Sequence, residues 1–434
     1  MSGLLLNFYR GLAKAGYPLV SMFAGLIGEE EDRQLFNARL GKGLDVVKAN
    51  APYDIWLHAV SVGEVMVAEA LVRELLSLRS GLKILLSSFT VSGQRQARRL
   101  LQGLCDIAPG PFDFPQAAQG MLSVCRPKVY ACVETELWPN MFIDACKAGV
   151  KTAIVNARLS LRSFENYRRL KGLFSPVLEN VELIMAISEA DAGRFARLGA
   201  RLTCLTVTGN AKYASLLSRI DELRQDVEKL RQKLGFEEKT KFFIAGSLRG
   251  GEEETVIRAW LDVKAKQPDL RLIIAPRHLE RVRDVVDALK RHCVAFSLWS
   301  NISSHHKLAV SGQCIVVDSI GVLLLLYGLA DVAFVGGSLV PKGGQNMMEP
   351  AVWSIPVLFG PFTDNFLDAS QMLLENQGGF LVHNANELAV QLKRLCWNRT
   401  ELEKAGKNAY TSLEMLSKNA VSRQAMGLLE LFDR

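Results

Sequence analysis

No two of the eight cysteines stand closer than seven positions. That spacing excludes the CxxC pairs of zinc ribbons and redox loops. Cys132, Cys146 and Cys314 lie in apolar runs, where a free thiol serves as a small core residue. Such a chain reads as cytosol-facing. No repeat of about 20 to 50 residues recurs, which excludes solenoids and propellers. The longest uncharged stretch near the amino terminus, 15–28, has 14 residues and contains Pro18. A spanning helix needs about 20 apolar residues. Glu29-Glu30-Glu31-Asp32 follows it, where a signal peptide would carry a small-residue cleavage site. The charge imbalance is also small: 52 Lys and Arg against 45 Asp and Glu, 52 − 45 = +7. That suits anionic ligands or lipids and is too weak for a DNA-binding protein.

A chain of 434 residues, 49% hydrophobic and 22% charged, is an ordinary globular mix sized for two or three domains. Its mean hydropathy, +0.12, is slightly high. Residues 3–28 account for part of that. With Arg10 and Lys14 interrupting, they read either as an amphipathic segment lying on a membrane, those two cations at the headgroups, or as a buried first helix. The membrane reading fits better and assigns 1–45 to a membrane-associating segment.

The remainder alternates short β-branched runs with helical stretches. Strands are expected at Ile55–Val60, Ile84–Ser88, Val129–Glu134, Ala153–Asn156, Leu183–Ser188 and Leu205–Thr208. After a charged stretch from Ser218 to Lys241 the pattern restarts at Phe242–Gly246, Leu272–Ala275, Val294–Leu298, Ile315–Val317, Val332–Val335, Val357–Phe359 and Phe380–Val382. Near-continuous apolar strands separated by helices mean parallel sheets covered on both faces. The expected class is α/β: two Rossmann-like, doubly wound domains facing across a cleft, at 46–218 and 242–400. A linker at 219–241 joins them, and a helix at 401–434 packs across both. Ligands of such folds bind beyond the carboxyl ends of the strands.

The motifs sit there. The first strand runs into Ser61-Val62-Gly63-Glu64; Glu64 falls in a first helical turn, either as a proton acceptor or as a helix cap. The strand at 129–134 ends in Glu134-Thr135-Glu136-Leu137-Trp138-Pro139-Asn140, where burial raises at least one carboxyl pKa unless a cation is near. Asn156-Ala157-Arg158-Leu159-Ser160-Leu161-Arg162 precedes a basic-aromatic stretch containing Arg168, Arg169 and Lys171. That stretch suits nucleic acid or a phosphorylated lipid, and the apolar amino terminus favours the lipid. Gly209-Asn210-Ala211-Lys212 places a lysine to meet an anion or leaves it solvated. In the second half, Ser247 opens a Gly250-Gly251 turn that lacks the Lys-Ser/Thr of a Walker loop. Pro276-Arg277-His278 follows the next strand. The strongest signal is Gly336-Gly337 through Gly343-Gly344-Gln345-Asn346-Met347-Met348-Glu349-Pro350. Its glycines can nest a phosphate, and Glu349 can accept from ribose hydroxyls; Met347 and Met348 read as packing.

Taken in order, these motifs resemble bacterial 3-deoxy-D-manno-octulosonic acid (Kdo) transferases of GT-B type. The likeness covers about the whole chain, with Gln345 where the family pattern has His. The resemblance implies transfer of Kdo from CMP-Kdo to the lipid A precursor (lipid IVA) with release of CMP and inversion. It implies a membrane-associated enzyme, monotopic or peripheral through its amino-terminal segment, at the cytoplasmic face of the inner membrane. No cofactor, metal or nucleic acid is expected. Glu64 is then the general base, with Glu134 and Lys212 stabilising the transition state. Ser247, Pro276, Arg277, Gly321, Val322, Leu323, Gly343, Gly344, Asn346, Met347, Met348 and Glu349 hold CMP-Kdo. Glu136, Arg158 and Arg162 face the acceptor. Competing expectations are a sugar-nucleotide epimerase of the same shape and a non-catalytic nucleotide- or lipid-binding module.

Overall fold

The computed structural model describes residues 3–24, 27, 29–235, 240–304 and 313–434. The chain forms two compact units: residues 1–215 with 417–434, and residues 216–416. The expected linker lies partly in the helix Ala214–Leu234, whose Leu216, Ile220, Val227 and Leu234 are buried, and residues 236–239 fall outside the described residues.

The first unit carries seven parallel strands: β1 (Ile55–Ala59), β2 (Ile84–Ser88), β3 (Asp106–Pro109), β4 (Val129–Val133), β5 (Lys151–Ala157), β6 (Leu183–Ala186) and β7 (Leu205–Val207). Their order is β3-β2-β1-β4-β5-β6-β7. The second unit repeats the plan with β8 (Lys241–Leu248), β9 (Leu270–Pro276), β10 (Phe296–Leu298), β11 (Cys314–Val316), β12 (Val332–Val335), β13 (Val357–Phe359) and β14 (Gly379–Leu381), in the order β10-β11-β9-β8-β12-β13-β14. Every residue of β1, β2, β4 and β12 is buried, which is why these strands read as near-continuous apolar runs. Sequence periodicity misses β3, a half-buried edge strand of four residues holding an aspartate and a proline.

The strand order reverses between β1 and β4 in one sheet and between β8 and β12 in the other. A crevice opens at such a switch point, because the flanking connections leave on opposite faces. Four helices of the first unit begin at hydroxyl caps. Ser61, Thr90, Ser160 and Ser188 each accept the N–H three residues on, so each turn ends with its helix start fixed.

The apolar part of the amino-terminal segment forms the helix Leu4–Phe23, running through Pro18, and a second helix, Glu30–Arg39, follows. Among the described residues no helix is long and apolar enough to cross a membrane. Its inner side is tied to the first unit: the Tyr9 hydroxyl donates to Asp113 (2.8 Å), Arg10 pairs with buried Asp144 (2.6 Å), and the Tyr17 hydroxyl donates to the Leu40 carbonyl (2.9 Å). The expectation that Arg10 meets headgroups is therefore corrected; a buried carboxylate claims it. Leu4, Leu5, Phe8, Leu12, Leu19, Met22 and Phe23 are exposed. At helical spacing they fall within an arc of about 100°.

All eight thiols are free. Cys132 and Cys314 are core residues as expected, but Cys146 is exposed, near the end of the helix Pro139–Lys147.

Candidate active site

In the first unit the switch point gathers the charged side chains of three strand ends. Glu64 stands one turn into the helix Val62–Leu78 that follows β1. It is buried, and both carboxylate oxygens are engaged: Oε2 accepts from the Val60 N–H (2.7 Å) and Oε1 from the Ser61 hydroxyl (2.7 Å). The helix cap itself is Ser61, and Glu64 braces it in a capping-box manner. Each oxygen keeps a further lone pair, so capping and proton acceptance are compatible. Burial raises its pKa from the ordinary 4.5 to about 7; the charges of Glu136 and Glu134 add to that, and the two hydrogen bonds oppose it. A base poised near 7 is half-ionised at neutral pH and well matched to an alcohol proton.

Glu134, directly after β4, has a left-handed backbone (φ +61°), with its N–H donated to the Val155 carbonyl at 2.9 Å. Its Oε1 meets Lys212 Nζ at 2.5 Å. The cation that the paired carboxylates require is therefore supplied from the end of β7, some eighty positions away in sequence. Lys212 also overlies the turn before Glu64: a Cβ placed on Gly63 would lie 3.5 Å from Lys212 Cε and 3.7 Å from Nζ. Those are ordinary contact distances, so the Lys212 side chain lies directly against the Gly63 turn.

Glu136 Oε2 accepts from Trp138 Nε1 (2.9 Å). The Thr135 hydroxyl donates to the Arg158 carbonyl and the Tyr167 hydroxyl to the Thr135 carbonyl (3.1 Å), so the 134–138 loop and the Arg158 backbone are bound together. Arg162 is exposed on the helix Leu161–Arg169. Arg168 is exposed too but paired with Glu165 (2.7 Å).

Two groups escape sequence reasoning. Asp113 accepts the Tyr9 hydroxyl and the N–H groups of Asn140 (3.2 Å) and Met141 (3.0 Å), capping the helix that follows the Glu134–Trp138 loop. His58, the penultimate residue of β1, meets the Ser87 hydroxyl at 2.8 Å, and burial drops its pKa to about 4. It is a neutral core histidine at physiological pH.

The second sheet places the predicted donor residues at the ends of β8, β9, β11 and β12. Ser247 lies in the irregularity of β8 with φ +57°. Pro276 ends β9, and the next N–H, of Arg277, donates to the Leu248 carbonyl (2.9 Å). Gly321 (φ +86°) and Val322 lead into the short helix that Leu323 begins. Gly343 and Gly344 are consecutive left-handed residues (φ +77° and +76°). The Asn346 amide donates to Glu349 (3.3 Å) and accepts from the Met348 N–H (3.2 Å). Met347 and Met348 side chains are wholly buried, as the packing reading expects.

The glycine nests, however, are not all open. Buried Glu252 accepts the N–H groups of Arg249 (2.8 Å), Gly337 (2.6 Å), Ser338 (3.0 Å) and Leu339 (2.8 Å). Glu253 accepts that of Gly251 (3.1 Å). A carboxylate already fills the nest at 337–339, in the first double-glycine loop that sequence alone assigns to a phosphate. Arg249 (with His278 Nε2 2.8 Å away) and Arg281 (paired with Glu253 at 2.8 Å) add positive charge nearby.

Residues 34–215 match a family model described as 3-deoxy-D-manno-octulosonic-acid transferase (kdotransferase). The chain is 33% identical over 420 residues to the 3-deoxy-D-manno-octulosonic acid transferase of Haemophilus influenzae, covering 96% of each. The enzyme of that name from Rickettsia bellii is 28% identical over 397 residues, 91% of this chain and 90% of that one. Among solved structures, a glycosyltransferase from Rickettsia africae gives a TM-score of 0.60 at 13% identity, covering 88% of this chain and 98% of the other. A UDP-GlcNAc 2-epimerase from Neisseria meningitidis gives 0.59 at 13%, covering 87% and 100%. At that identity both show the fold alone, so the fold does not separate transferase from epimerase. Identity along the whole chain does: the protein belongs to the 3-deoxy-D-manno-octulosonic acid transferase family and is a glycosyltransferase on two parallel-sheet units of GT-B type.

Proposed function

We propose that this enzyme transfers Kdo from CMP-Kdo to the lipid A precursor lipid IVA, with inversion and release of CMP, in lipopolysaccharide synthesis. The observation that carries the reading is Glu64: a buried carboxyl titrating near 7 at the β1/β4 switch point, beside the Lys212–Glu134 pair. Glu64 takes the proton of the acceptor hydroxyl as its oxygen bonds to the anomeric carbon of Kdo. The bond from that carbon to the CMP phosphate breaks on the opposite face, and CMP leaves with the electron pair. CMP is a good leaving group, so a base and electrostatic stabilisation carry the chemistry.

Lys212 meets the Kdo carboxylate or the departing phosphate, and Glu134 orients Lys212 and faces the oxocarbenium-like centre. In the second unit the Arg277 guanidinium pairs with the CMP phosphate. The backbone at 343–344, Ser247 and the 321–323 turn enclose the nucleotide, and Asn346 with Glu349 receives the ribose hydroxyls. Arg158 and Arg162 bind acceptor phosphates, and Glu136 holds a sugar hydroxyl. The apolar stripe of the helix Leu4–Phe23 seats the enzyme on the cytoplasmic face of the inner membrane, and Leu5 packs against Gly172 in the basic-aromatic stretch.

Mass spectrometry of lipid IVA incubated with a CMP-Kdo-generating system tests the reading. Wild type adds Kdo masses and Glu64→Ala loses about 10²-fold or more in rate, the span of general-base catalysis. Equal rates for both proteins remove Glu64 from the chemistry. No product from folded wild type rejects the substrate assignment.

A further inference from the structure

Lys212 is delivered to Glu134 by the turn that follows β7. Strand β7, which precedes it, has three residues, lies at the sheet edge and pairs only with β6. The turn begins at Gly209 (φ +87°). Ala211 in the turn is wholly buried in the core, and a set of amide contacts orients the backbone around it. Asn156, left-handed at the end of β5 (φ +50°), accepts the Ala211 N–H on Oδ1 (2.8 Å). Asn210 accepts the Lys212 N–H (3.0 Å). Behind both stands Gln424, in the last helix and fully buried. Its Oε1 accepts the Asn156 N–H (3.0 Å) and its Nε2 donates to the Gly209 carbonyl (3.1 Å). These partners fix the amide orientation, since a backbone N–H needs the oxygen and a carbonyl needs the NH₂.

The neighbours of Gln424 on that helix, Ala420, Val421, Ala425 and Leu428, belong to the apolar core. A polar side chain on such a face is costly unless both ends are bonded, and here both are. The helix also lies close to the sheet: a Cβ on Gly427 would stand 2.9 Å from Met185 Sδ. We propose that Gln424 is a positioning residue, its amide bridging the ends of β5 and β7 so that the 209–212 turn holds Lys212 against Glu134. This rests on the roles given above to Lys212, Glu134 and Glu64.

The test compares Gln424→Met, which keeps length and packing but loses both hydrogen bonds, with Leu428→Ala, which weakens the same helix without touching the turn. Both are assayed for Kdo transfer at a temperature where circular dichroism shows them folded. The expected result is a loss of tenfold or more in kcat for Gln424→Met, with acceptor KM within twofold. Leu428→Ala keeps kcat within twofold. Wild-type turnover in Gln424→Met, or an equal loss in Leu428→Ala, overturns the proposal. If Gln424→Met does not fold, Gln424→Asn replaces it: it stays polar but is one methylene too short to bond Asn156 and Gly209 together, and the same criteria apply.

A second readout is independent of the substrate assignment. The stability difference between wild type and Glu64→Gln is followed from pH 5 to 8.5, with and without the Gln424 substitution. Freeing Lys212 leaves the Glu134 charge less neutralised, so the pH at which this difference changes moves upward with Gln424→Met and stays with Leu428→Ala. No displacement overturns the positioning role, even if wild type transfers no Kdo.

Discussion

At the scale of single residues, the sharpest consequence concerns Glu64. Its pKa is raised by burial from 4.5 to about 7, so the folded state binds this proton more tightly than the unfolded chain does. Stability from this group is complete below pH 4.5 and is lost as pH rises through 7. Glu64→Gln has no such slope. The melting temperature of the variant relative to wild type should therefore climb between pH 5 and pH 8, toward a difference of about 3 kcal/mol at most, at 1.4 kcal/mol per pKa unit. Thermal denaturation across that range checks it, and a flat difference contradicts the buried carboxyl. The same titration sets the acid limb of the rate: turnover should rise with pH through about 7 as the base ionises. Both roles of Glu64 were open in its sequence, because Ser61-x-x-Glu64 is a cap pattern and a strand-end acid at once. The Lys212 contact could not be read there, since two strand ends far apart in sequence meet only once the order β1-β4-β5-β6-β7 is known.

At the scale of elements, the helix Leu4–Phe23 has two unlike sides with separable effects. Arg10 is mostly buried against Asp144, whose side chain is 2% exposed. Arg10→Ala leaves that carboxylate buried without its cation, and breaking such a pair costs about 3 kcal/mol. Leu12 and Leu19 face outward, 59% and 65% exposed, so replacing both by serine should change stability by less than about 1 kcal/mol. Vesicle flotation should show the reverse pattern: the serine variant binds anionic vesicles several-fold more weakly, and Arg10→Ala, while folded, binds as wild type does. Loss of stability in the serine variant would mean the stripe is core. Sequence periodicity found this helix and nearly every strand, because apolar runs between caps are local signals. It could not assign Arg10, because Asp144 is 134 positions away. Nor could it see that Glu252 fills the glycine nest at 337–339, since a nest looks the same in sequence whether an anion or a side chain occupies it.

At the scale of the whole molecule, the path of the chain makes the two units unequal. The second is one continuous stretch, 216–416, whereas the first needs 417–434 to complete it. Ala420, Val421, Ala425, Leu428 and Leu431 are buried in the core that contains Ile55, Leu57, Val129 and Val155 of the central strands. Sequence reading expected a helix at 401–434 packing across both domains; a helix runs Arg399–Asp433, and amphipathic spacing states only that it has a partner, not which core its end completes. Removing one buried leucine side chain costs about 2–5 kcal/mol. Removing this whole face therefore reaches the total stability of a domain, about 5–15 kcal/mol. A protein truncated after Leu416 should lose the cooperative unfolding transition of the first unit and all transferase activity. The continuous fragment 216–416 should fold alone and bind CMP. Joining 1–215 to 417–434 through a flexible linker should restore the first transition, because loop-closure entropy grows slowly with length. Calorimetry of the three proteins distinguishes this from the alternative in which the last helix only extends the second unit. In that case truncation would leave the first transition in place and 216–416 would be the fragment that fails to fold.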